Sequence, residues 1–239
     1  MMPLKKYQRD FPHSYTFGGF PTLELLHHQP SHVQRVLVST QGERNEGVAK
    51  LRDLCAQNHI PAEVNDKQIE RLSPKENTYA IGVFEKYQPR LDSNANHLVL
   101  VNPADMGNLG TIIRTMLGFG VTNLALLKPA ADIFDPRVIR ASMGAIFRLN
   151  FEYLESFDAY RNAFPHYLYP FMTEGAIPLN EAIFDIPFAL IFGNESAGLP
   201  DSYRTLGTTI TIPHSDAIDS LNLSVAVGIA LYTATKGDI

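Results

Sequence analysis

The chain has 239 residues, more than the usual single domain of ~100–150 residues, and this length allows two modest domains. Hydrophobic residues make up 45% and no apolar run approaches the ~18–20 residues of a membrane span, so we expect a globular protein without membrane contact. The single cysteine excludes an internal disulfide framework and a cysteine-clustered metal site; we expect a cytoplasmic protein that holds no metal. The net charge of −5 is unusual for a protein that binds nucleic acid.

The first third of the chain is predicted to be a small α/β domain. Arg35–Val38 is an apolar strand, and residues 45–58 carry apolar side chains at helical spacing. A second strand is expected at Tyr79–Phe84, and the polar, turn-rich stretch 88–96 reads as a linker. We therefore predict domains at residues 1–90 and 91–239.

The charge differs between these two predicted domains. The first carries 12 Lys and Arg against 10 Asp and Glu, a balance of +2, and the second carries 8 against 15, a balance of −7. Since phosphates bind to basic surfaces, the first domain is the better candidate for a surface that faces nucleic acid.

The second domain repeats the alternation of strand and helix. Leu98–Val101 is a continuous apolar strand of the kind buried in a parallel sheet, and a helix is expected at about Leu109–Phe119. Further strands are predicted at 124–127, 167–171, 188–192 and 209–212, and a last helix from near Leu221 to the C-terminal end. This order predicts a mostly parallel sheet covered by helices on both faces.

A first polar segment follows the strand at 98–101. It contains Asn108 and Arg114, which are six residues apart, close to two helical turns, and we expect both near one side of a helix. An arginine at such a place can hold a phosphate or carboxylate through its planar fork. The alternative is a surface helix with a solvated arginine and an asparagine cap.

A second polar segment, residues 193–200, follows the strand at 188–192. Gly193 and Gly198 enclose a loop that carries the acidic Glu195, and glycines let backbone approach a ligand closely. The loop is neither a P-loop nor a dinucleotide-binding turn, and Asn194 stands where an esterase elbow has its first glycine. An ordinary turn between strand and helix is the alternative.

The third segment runs from Ile212 to the start of the last helix. Ser220 is the expected N-cap, with Asn222 and Ser224 in the first turn. By itself this pattern indicates only a capped, tightly packed helix.

Together the three segments resemble the motifs of the SpoU, or TrmH-type, RNA ribose methyltransferases of the SPOUT superfamily. The matching stretches are Gly107-Asn108-Leu109-Gly110 with Arg114, Phe192-Gly193-Asn194-Glu195, and Ile212-Pro213 with Ser220-Leu221-Asn222-Leu223-Ser224. Residues 15–85 also resemble the RNA-binding domain that precedes the catalytic domain in many members, mainly through Gly19, Leu23 and Glu24.

The resemblance implies a catalytic domain at 91–239 whose C-terminal part forms a trefoil knot, an exception to the usual absence of knots. It implies that S-adenosylmethionine binds at Gly193, Ile212 and Leu221, that the protein is a homodimer, and that RNA is the substrate. The family's functional positions correspond to Asn108, Arg114, Glu195, Ser220 and Asn222.

The roles expected at these positions follow from the reaction that the resemblance implies. A ribose 2′-hydroxyl must be aligned with the methyl donor and must lose its proton. A guanidinium is always protonated in proteins, so we expect Arg114 to fix the adjacent phosphate or stabilise alkoxide charge while a phosphate or water accepts the proton. Ser220 and Asn222 would orient the nucleotide or Arg114. Asn108 and Glu195 would hold the loops, with Glu195 also a candidate partner of Arg114.

Other functions remain open at this point. A hydrolase would use Ser196, near Gly198, as the nucleophile and His214 as its base. A binding module without catalysis would use the C-terminal region only for dimerisation, and it would not need the full set of Asn108, Arg114, Glu195, Ser220 and Asn222. Within the family, we expect large-subunit ribosomal RNA as the substrate, with transfer RNA as the alternative.

Overall fold

The computed structural model describes residues 4–42, 45–73 and 78–236, which form two compact units. The first unit comprises the chain up to Tyr87 together with Asp132–Arg148, and the second comprises Gln88–Ala131 and the chain from Leu149 onward. Our predicted domains are contiguous, whereas the first unit includes a segment from later in the chain. None of the helices within the described ranges is long and apolar enough to cross a membrane.

The strands are β1 (His13–Phe17), β2 (Val33–Val38), β3 (Ala62–Val64), β4 (Ala80–Glu85), β5 (His97–Val101), β6 (Asn123–Leu127), β7 (Asn150–Leu154), β8 (Tyr167–Pro170), β9 (Ile177–Pro178), β10 (Phe188–Phe192) and β11 (Ile210–Thr211). The helices are α1 (Gly19–His28), α2 (Glu46–Gln57), α3 (Asp66–Leu72), α4 (Met106–Gly118), α5 (Pro136–Ala141), α6 (Phe157–Ala163) and α7 (Leu223–Ala234). Short 3₁₀ turns include Ala145–Arg148.

The first unit contains the sheet β1-β4-β2-β3, in which β4 is antiparallel to β1 and β2 and β3 is parallel to β2. Side chains alternate between its two faces, as the period of a strand requires. Val36 points to the face covered by α1 and α2, and Leu37 points to the face covered by α3. Asn45 caps α2, since its Oδ1 accepts from the Gly47 N–H at 2.8 Å.

The second unit contains the parallel sheet β7-β6-β5-β10-β8, which confirms the prediction of an α/β fold with a mostly parallel sheet. Every residue of β5, β6 and β10 is buried, which explains their uninterrupted apolar sequences. The order along the sheet reverses at β5, whose neighbours are β6 and β10, so the loops after β5 and β10 meet at one edge. The trefoil knot stays a prediction.

The last helix begins two residues after Leu221, near which its start was predicted, and its predicted N-cap was wrong. The helix begins at Leu223, and Asn222 is its N-cap because its Oδ1 accepts from the Ser224 N–H at 2.9 Å. Ser220, predicted as the cap, precedes the helix. The helix ends at Ala234, and residues 237–239, which the prediction included, lie outside the described residues.

A buried histidine lies at the start of β5. The His97 side chain is fully buried, its Nε2 donates to the Asp92 carbonyl oxygen at 2.8 Å, and its Nδ1 accepts from the Tyr160 hydroxyl at 2.9 Å. The imidazole of His166 stacks on it at 4.1 Å between ring centroids. Burial lowers the pKa of His97 to about 4, so the folded protein keeps this imidazole neutral.

We expect this histidine to make the second unit sensitive to acid. The unfolded chain takes up the proton near pH ~6.5 and the folded chain only near pH 4, so stability falls as the pH falls through that window, by up to about 3 kcal/mol. Urea unfolding at pH 7.5, 5.5 and 4.5 measures this loss. His97→Gln should flatten the dependence, and an equally steep loss in the variant would show that other groups cause it.

Candidate active site

A cleft of about 360 Å³ lies in the second unit, where the loops that follow β8, β10 and β11 come together. The residues predicted to bind the cofactor, Gly193, Ile212 and Leu221, all line this cleft. Glu195 and Ser220 line it as well. The cleft therefore brings together the second and third sequence segments, which are distant along the chain.

The loop after β10 closes tightly on itself. The Gly198 N–H donates to the Asn194 carbonyl oxygen at 2.9 Å, and Gly198 has a φ of +66°. A Cβ on Gly193 would lie 2.0 Å from the Gly198 carbonyl carbon and 2.3 Å from the Leu199 nitrogen. Since both contacts are to backbone, Gly193 cannot be replaced without opening the loop.

Two side chains tie this loop to the end of β5. The Asn194 Nδ2 donates to the Asn102 carbonyl oxygen at 2.8 Å, at a residue whose φ is +53°. The Glu195 carboxylate accepts from the backbone N–H groups of Asp105 at 3.1 Å and Ala104 at 3.3 Å. The carboxylate therefore lies at the N-terminal end of α4, where the helix dipole favours negative charge.

We expect Asn194→Asp to destabilise the second unit by about 1–3 kcal/mol, because the donor to Asn102 is lost and a second carboxylate is placed beside Glu195. Denaturant unfolding followed by tyrosine fluorescence measures the loss. Asn58→Asp is the matched control, since it removes an amide-to-backbone bond on an exposed residue. Equal losses in both variants would mean that the Asn194 contact has no special role.

The first and third segments are joined by their asparagines. The Asn222 Nδ2 donates to the Asn108 Oδ1 at 3.2 Å, while the Asn222 Oδ1 accepts from the backbone and hydroxyl of Ser224. Asn222 thus caps α7 and ties it to α4. The cap of α4 itself is Asp105, whose Oδ1 accepts from the Asn108 N–H at 2.7 Å, so the alternative of an asparagine cap on this helix was wrong.

Arg114 lies on α4 and is exposed. Its side chain makes no hydrogen bond or ion pair with any residue of the described ranges. The Glu195 carboxylate accepts from backbone N–H groups and not from this guanidinium. The next residue, Thr115, faces α7, because a Cβ on Gly228 would lie 3.6 Å from its Cγ2. Arg114 is therefore a free cation beside the contact of α4 and α7.

The wall of the cleft that follows β8 was not predicted from the sequence. Phe171 stacks on Phe192 with ring centroids 4.4 Å apart, and both line the cleft. Arg204 donates to the Glu174 carbonyl oxygen at 2.7 Å and to the Asp201 carboxylate at 3.0 Å. The sequence carried one signal for this wall, because Phe171 is the last residue of the predicted strand at 167–171. Residues at the ends of parallel strands commonly form ligand sites.

The cleft does not have the geometry that a hydrolase requires. The His214 Nδ1 donates to the Ile212 carbonyl oxygen at 2.8 Å, and the described residues include no hydrogen bond between His214 and Ser196. A serine nucleophile requires such a contact with its base. The cleft therefore offers backbone groups, aromatic walls and a carboxylate, which suit binding of a small ligand.

Comparison with known proteins shows which family has this sequence pattern and fold. The profile of the SpoU rRNA Methylase family matches residues 95–232. The crystal structure of the SpoU methyltransferase AviRb from Streptomyces viridochromogenes in complex with AdoMet has a TM-score of 0.81 and 25% identity, covering 95% of this chain and 91% of that one. The AdoMet-bound rRNA methyltransferase from Sinorhizobium meliloti has a TM-score of 0.78 and 26% identity, covering 93% and 86%.

A sequence relative is similar over the same region. The 23S rRNA (uridine(2479)-2′-O)-methyltransferase of Streptomyces viridochromogenes is 34% identical over 143 residues, which are 56% of this chain and 50% of that protein. The chain spans about half or less of the length of this and two other curated relatives that it matches. The profile match covers more than half of the chain and contains all three polar segments, two of which form the cleft. The chain belongs to the SpoU rRNA Methylase family.

Proposed function

We propose that the protein transfers a methyl group from S-adenosylmethionine to a ribose 2′-hydroxyl of RNA, with large-subunit ribosomal RNA as the substrate. The observation that carries the proposal is the convergence of Gly193, Ile212 and Leu221 on one cleft, with Glu195 and Asn222 tying its loops to the helix that bears Arg114.

The cleft suits S-adenosylmethionine in size and character. Its volume of about 360 Å³ lies in the usual range of ligand pockets, ~300–1,000 Å³, and its walls combine Phe171, Phe192 and Leu199 with polar backbone groups. When bound, this cofactor supplies an electrophilic methyl group on a sulfonium. Gly193, Ile212 and Leu221 would hold it.

The residues of this chain would act on the hydroxyl and on the loops. Arg114, exposed and unpaired within the described ranges, would bind the phosphate next to the target ribose and stabilise negative charge as the hydroxyl loses its proton. The proton passes to the phosphate or to a water, because a guanidinium already holds its own. Ser220 would orient the nucleotide. The hydrogen bonds of Asn222, Asn108 and Glu195 would hold α4, α7 and the loop after β10 in fixed positions relative to one another.

Ribosomal RNA is the favoured substrate for two reasons. Relatives that match this chain are named as 23S rRNA 2′-O-methyltransferases, among them the protein from Streptomyces viridochromogenes and one from Bacillus subtilis. Residues 15–85, which lie in the first unit, also resemble an RNA-binding domain. We assign substrate binding to the first unit and catalysis to the second. Transfer RNA is the alternative substrate, and the cytoplasm is the proposed location.

Binding of the cofactor is tested by thermal melting with S-adenosylmethionine or its demethylated product. A ligand at ~100 times its dissociation constant stabilises the folded protein by about 2.7 kcal/mol, which raises the melting temperature by several degrees. No shift at millimolar ligand would contradict the proposal and would favour a non-catalytic RNA-binding protein.

We also propose that the protein is a homodimer. Val225, Ile229 and Tyr232 lie on one face of α7 at helical spacing, with exposed fractions of 50%, 38% and 63%. Phe119 at the end of α4 contacts Tyr232 edge to face. An apolar helix face of this kind marks a protein interface, and a second copy of α7 would cover it.

Val225→Asp/Ile229→Asp should convert the dimer to a monomer, because two charges would be buried without partners. Sedimentation velocity at micromolar concentration measures the mass, and Ile183→Asp, on a side chain that is 84% exposed, is the control. The dimer proposal fails if the wild-type protein is already a monomer.

A further inference from the structure

Residues 132–148 belong to the first unit and lie along α1. A Cβ on Gly144 would be 2.8 Å from the Glu24 Cβ and 3.2 Å from the Pro21 Cα, which places this turn directly on the helix. Further along, the Gln29 Nε2 donates to the Phe147 carbonyl oxygen at 3.0 Å. The turn and the following 3₁₀ segment therefore extend over the length of α1, about 15 Å.

This arrangement exposes cations that lack acidic partners. Arg140 and Arg148 are exposed, and neither forms an ion pair or hydrogen bond through its side chain with a residue of the described ranges. By contrast, Arg137 on the same segment is held by Asp135 through two hydrogen bonds of 3.0 and 2.9 Å. Arg140 and Arg148 are thus free to bind an anion from outside.

The same surface exposes apolar side chains. Phe20, next to Pro21 on α1, is 53% exposed, and Met143 is 37% exposed with a φ of +53°. A non-glycine residue in the left-handed region is uncommon, and such conformations are concentrated at functional sites. The surface therefore combines an aromatic ring with unpaired arginines.

Two histidines complete the surface at the end of α1. His27 and His28 are adjacent, and His28 lies 3.5 Å from the Glu24 carboxylate. Burial lowers the pKa of His28; Glu24 raises it, and Arg148 and His27 lower it further. At neutral pH this imidazole is a hydrogen-bonding group, and the positive charge of the surface comes from the arginines.

We propose that Phe20, His27, His28, Arg140, Met143 and Arg148 form an RNA-binding surface, the α1 surface, that holds an unpaired strand of the substrate. Arg140 and Arg148 bind its phosphates and Phe20 stacks on a base, the combination by which proteins bind single-stranded nucleic acid. The inference rests on the proposed function for the identity of the ligand. It places part of substrate binding on residues 137–148, outside the predicted first domain.

The test measures binding of the full chain to a transcript of large-subunit ribosomal RNA and to a 20-nucleotide oligouridine, at several salt concentrations. Arg140→Ala/Arg148→Ala should weaken binding about tenfold and reduce the slope of log K against log salt by about 1.4, since each phosphate contact to a single strand contributes ~0.7. Phe20→Ala should weaken binding about tenfold without changing the slope, because stacking releases no ions.

Lys67→Ala/Arg71→Ala is the matched control. It removes the same charge from exposed positions on α3, which covers the opposite face of the sheet from α1. The proposal would be overturned if both double variants lost RNA binding equally, or if neither lost it. An acidic protein as the true partner of the surface would leave RNA binding unchanged. Each variant should also keep its melting shift with S-adenosylmethionine, because the α1 surface does not bind the cofactor. Absence of that shift in the wild-type protein would count against the proposed function, whereas unchanged RNA binding in the variants would count against the α1 surface.

Discussion

Arg114→Ala is expected to lower the rate of methyl transfer by about 10²–10³-fold while the affinity for S-adenosylmethionine stays unchanged. The reason is the position of the guanidinium, which is exposed on α4, unpaired among the described residues, and does not line the cofactor cleft. Removing it leaves the folded loops intact, because it makes no contact that holds them. Single-turnover transfer of labelled methyl, with cofactor binding measured by calorimetry, separates the two effects.

Two further variants make this prediction specific. Arg90→Ala removes an exposed arginine from the same unit and should retain wild-type activity. Arg114→Lys keeps the charge and loses the planar fork, so an intermediate rate is expected if the group binds a phosphate. If Arg114→Ala turns over at nearly the wild-type rate, the proposed role of Arg114 is wrong.

Gly193→Ala is expected to abolish binding of S-adenosylmethionine and to lower the stability of the second unit by several kcal/mol. The added methyl would lie 2.0 Å from the Gly198 carbonyl carbon, and since the nearest atoms are backbone atoms of Gly198 and Leu199, no side-chain rotation relieves the clash. The loop after β10 must open, and the cleft loses its wall. Calorimetry with the cofactor and denaturant unfolding report the two consequences.

Gly118→Ala is the control for this substitution, since a Cβ there meets nothing within 4 Å. It lies in the last turn of α4, where alanine in place of glycine should stabilise by about 0.4–1 kcal/mol. A Gly193→Ala protein that binds the cofactor normally would mean that the cleft is not the cofactor site.

The sequence was informative where periodicity and strand ends decide the structure. The apolar runs at β5 and β10 are buried on both faces, and parallel pairing of these strands places Asn102 and Gly193 at the same edge. This edge is where the first and second polar segments begin, whereas the third follows β11 in a separate two-stranded sheet and was joined to them only by the family resemblance. The prediction of Ser220 as the N-cap was wrong because Ser220 and Asn222 are both suitable residue types for this position. Only the path of the folded chain places Asn222 there.

Other features have no local signal in the sequence. The contacts of Glu195 and Asn194 with the segment before α4 join loops that are 90 and 92 residues apart in the sequence, and the left-handed φ of Asn102 is part of that geometry. Residues 132–148 follow a strand of the second unit, yet their side chains belong to the core of the first, as the contact of Phe134 with Phe84 illustrates. Such assignments come from tertiary contacts and not from composition or periodicity.

The most direct test of the central claim is transfer of labelled methyl from S-adenosylmethionine into RNA that lacks its own modifications, separated into ribosomal and transfer RNA. We expect label in the large-subunit ribosomal RNA at a 2′-O position, and its loss in Arg114→Ala. Label in transfer RNA alone would correct the substrate and leave the reaction intact. No label in either pool, together with no melting shift on addition of the cofactor, would contradict the proposed function.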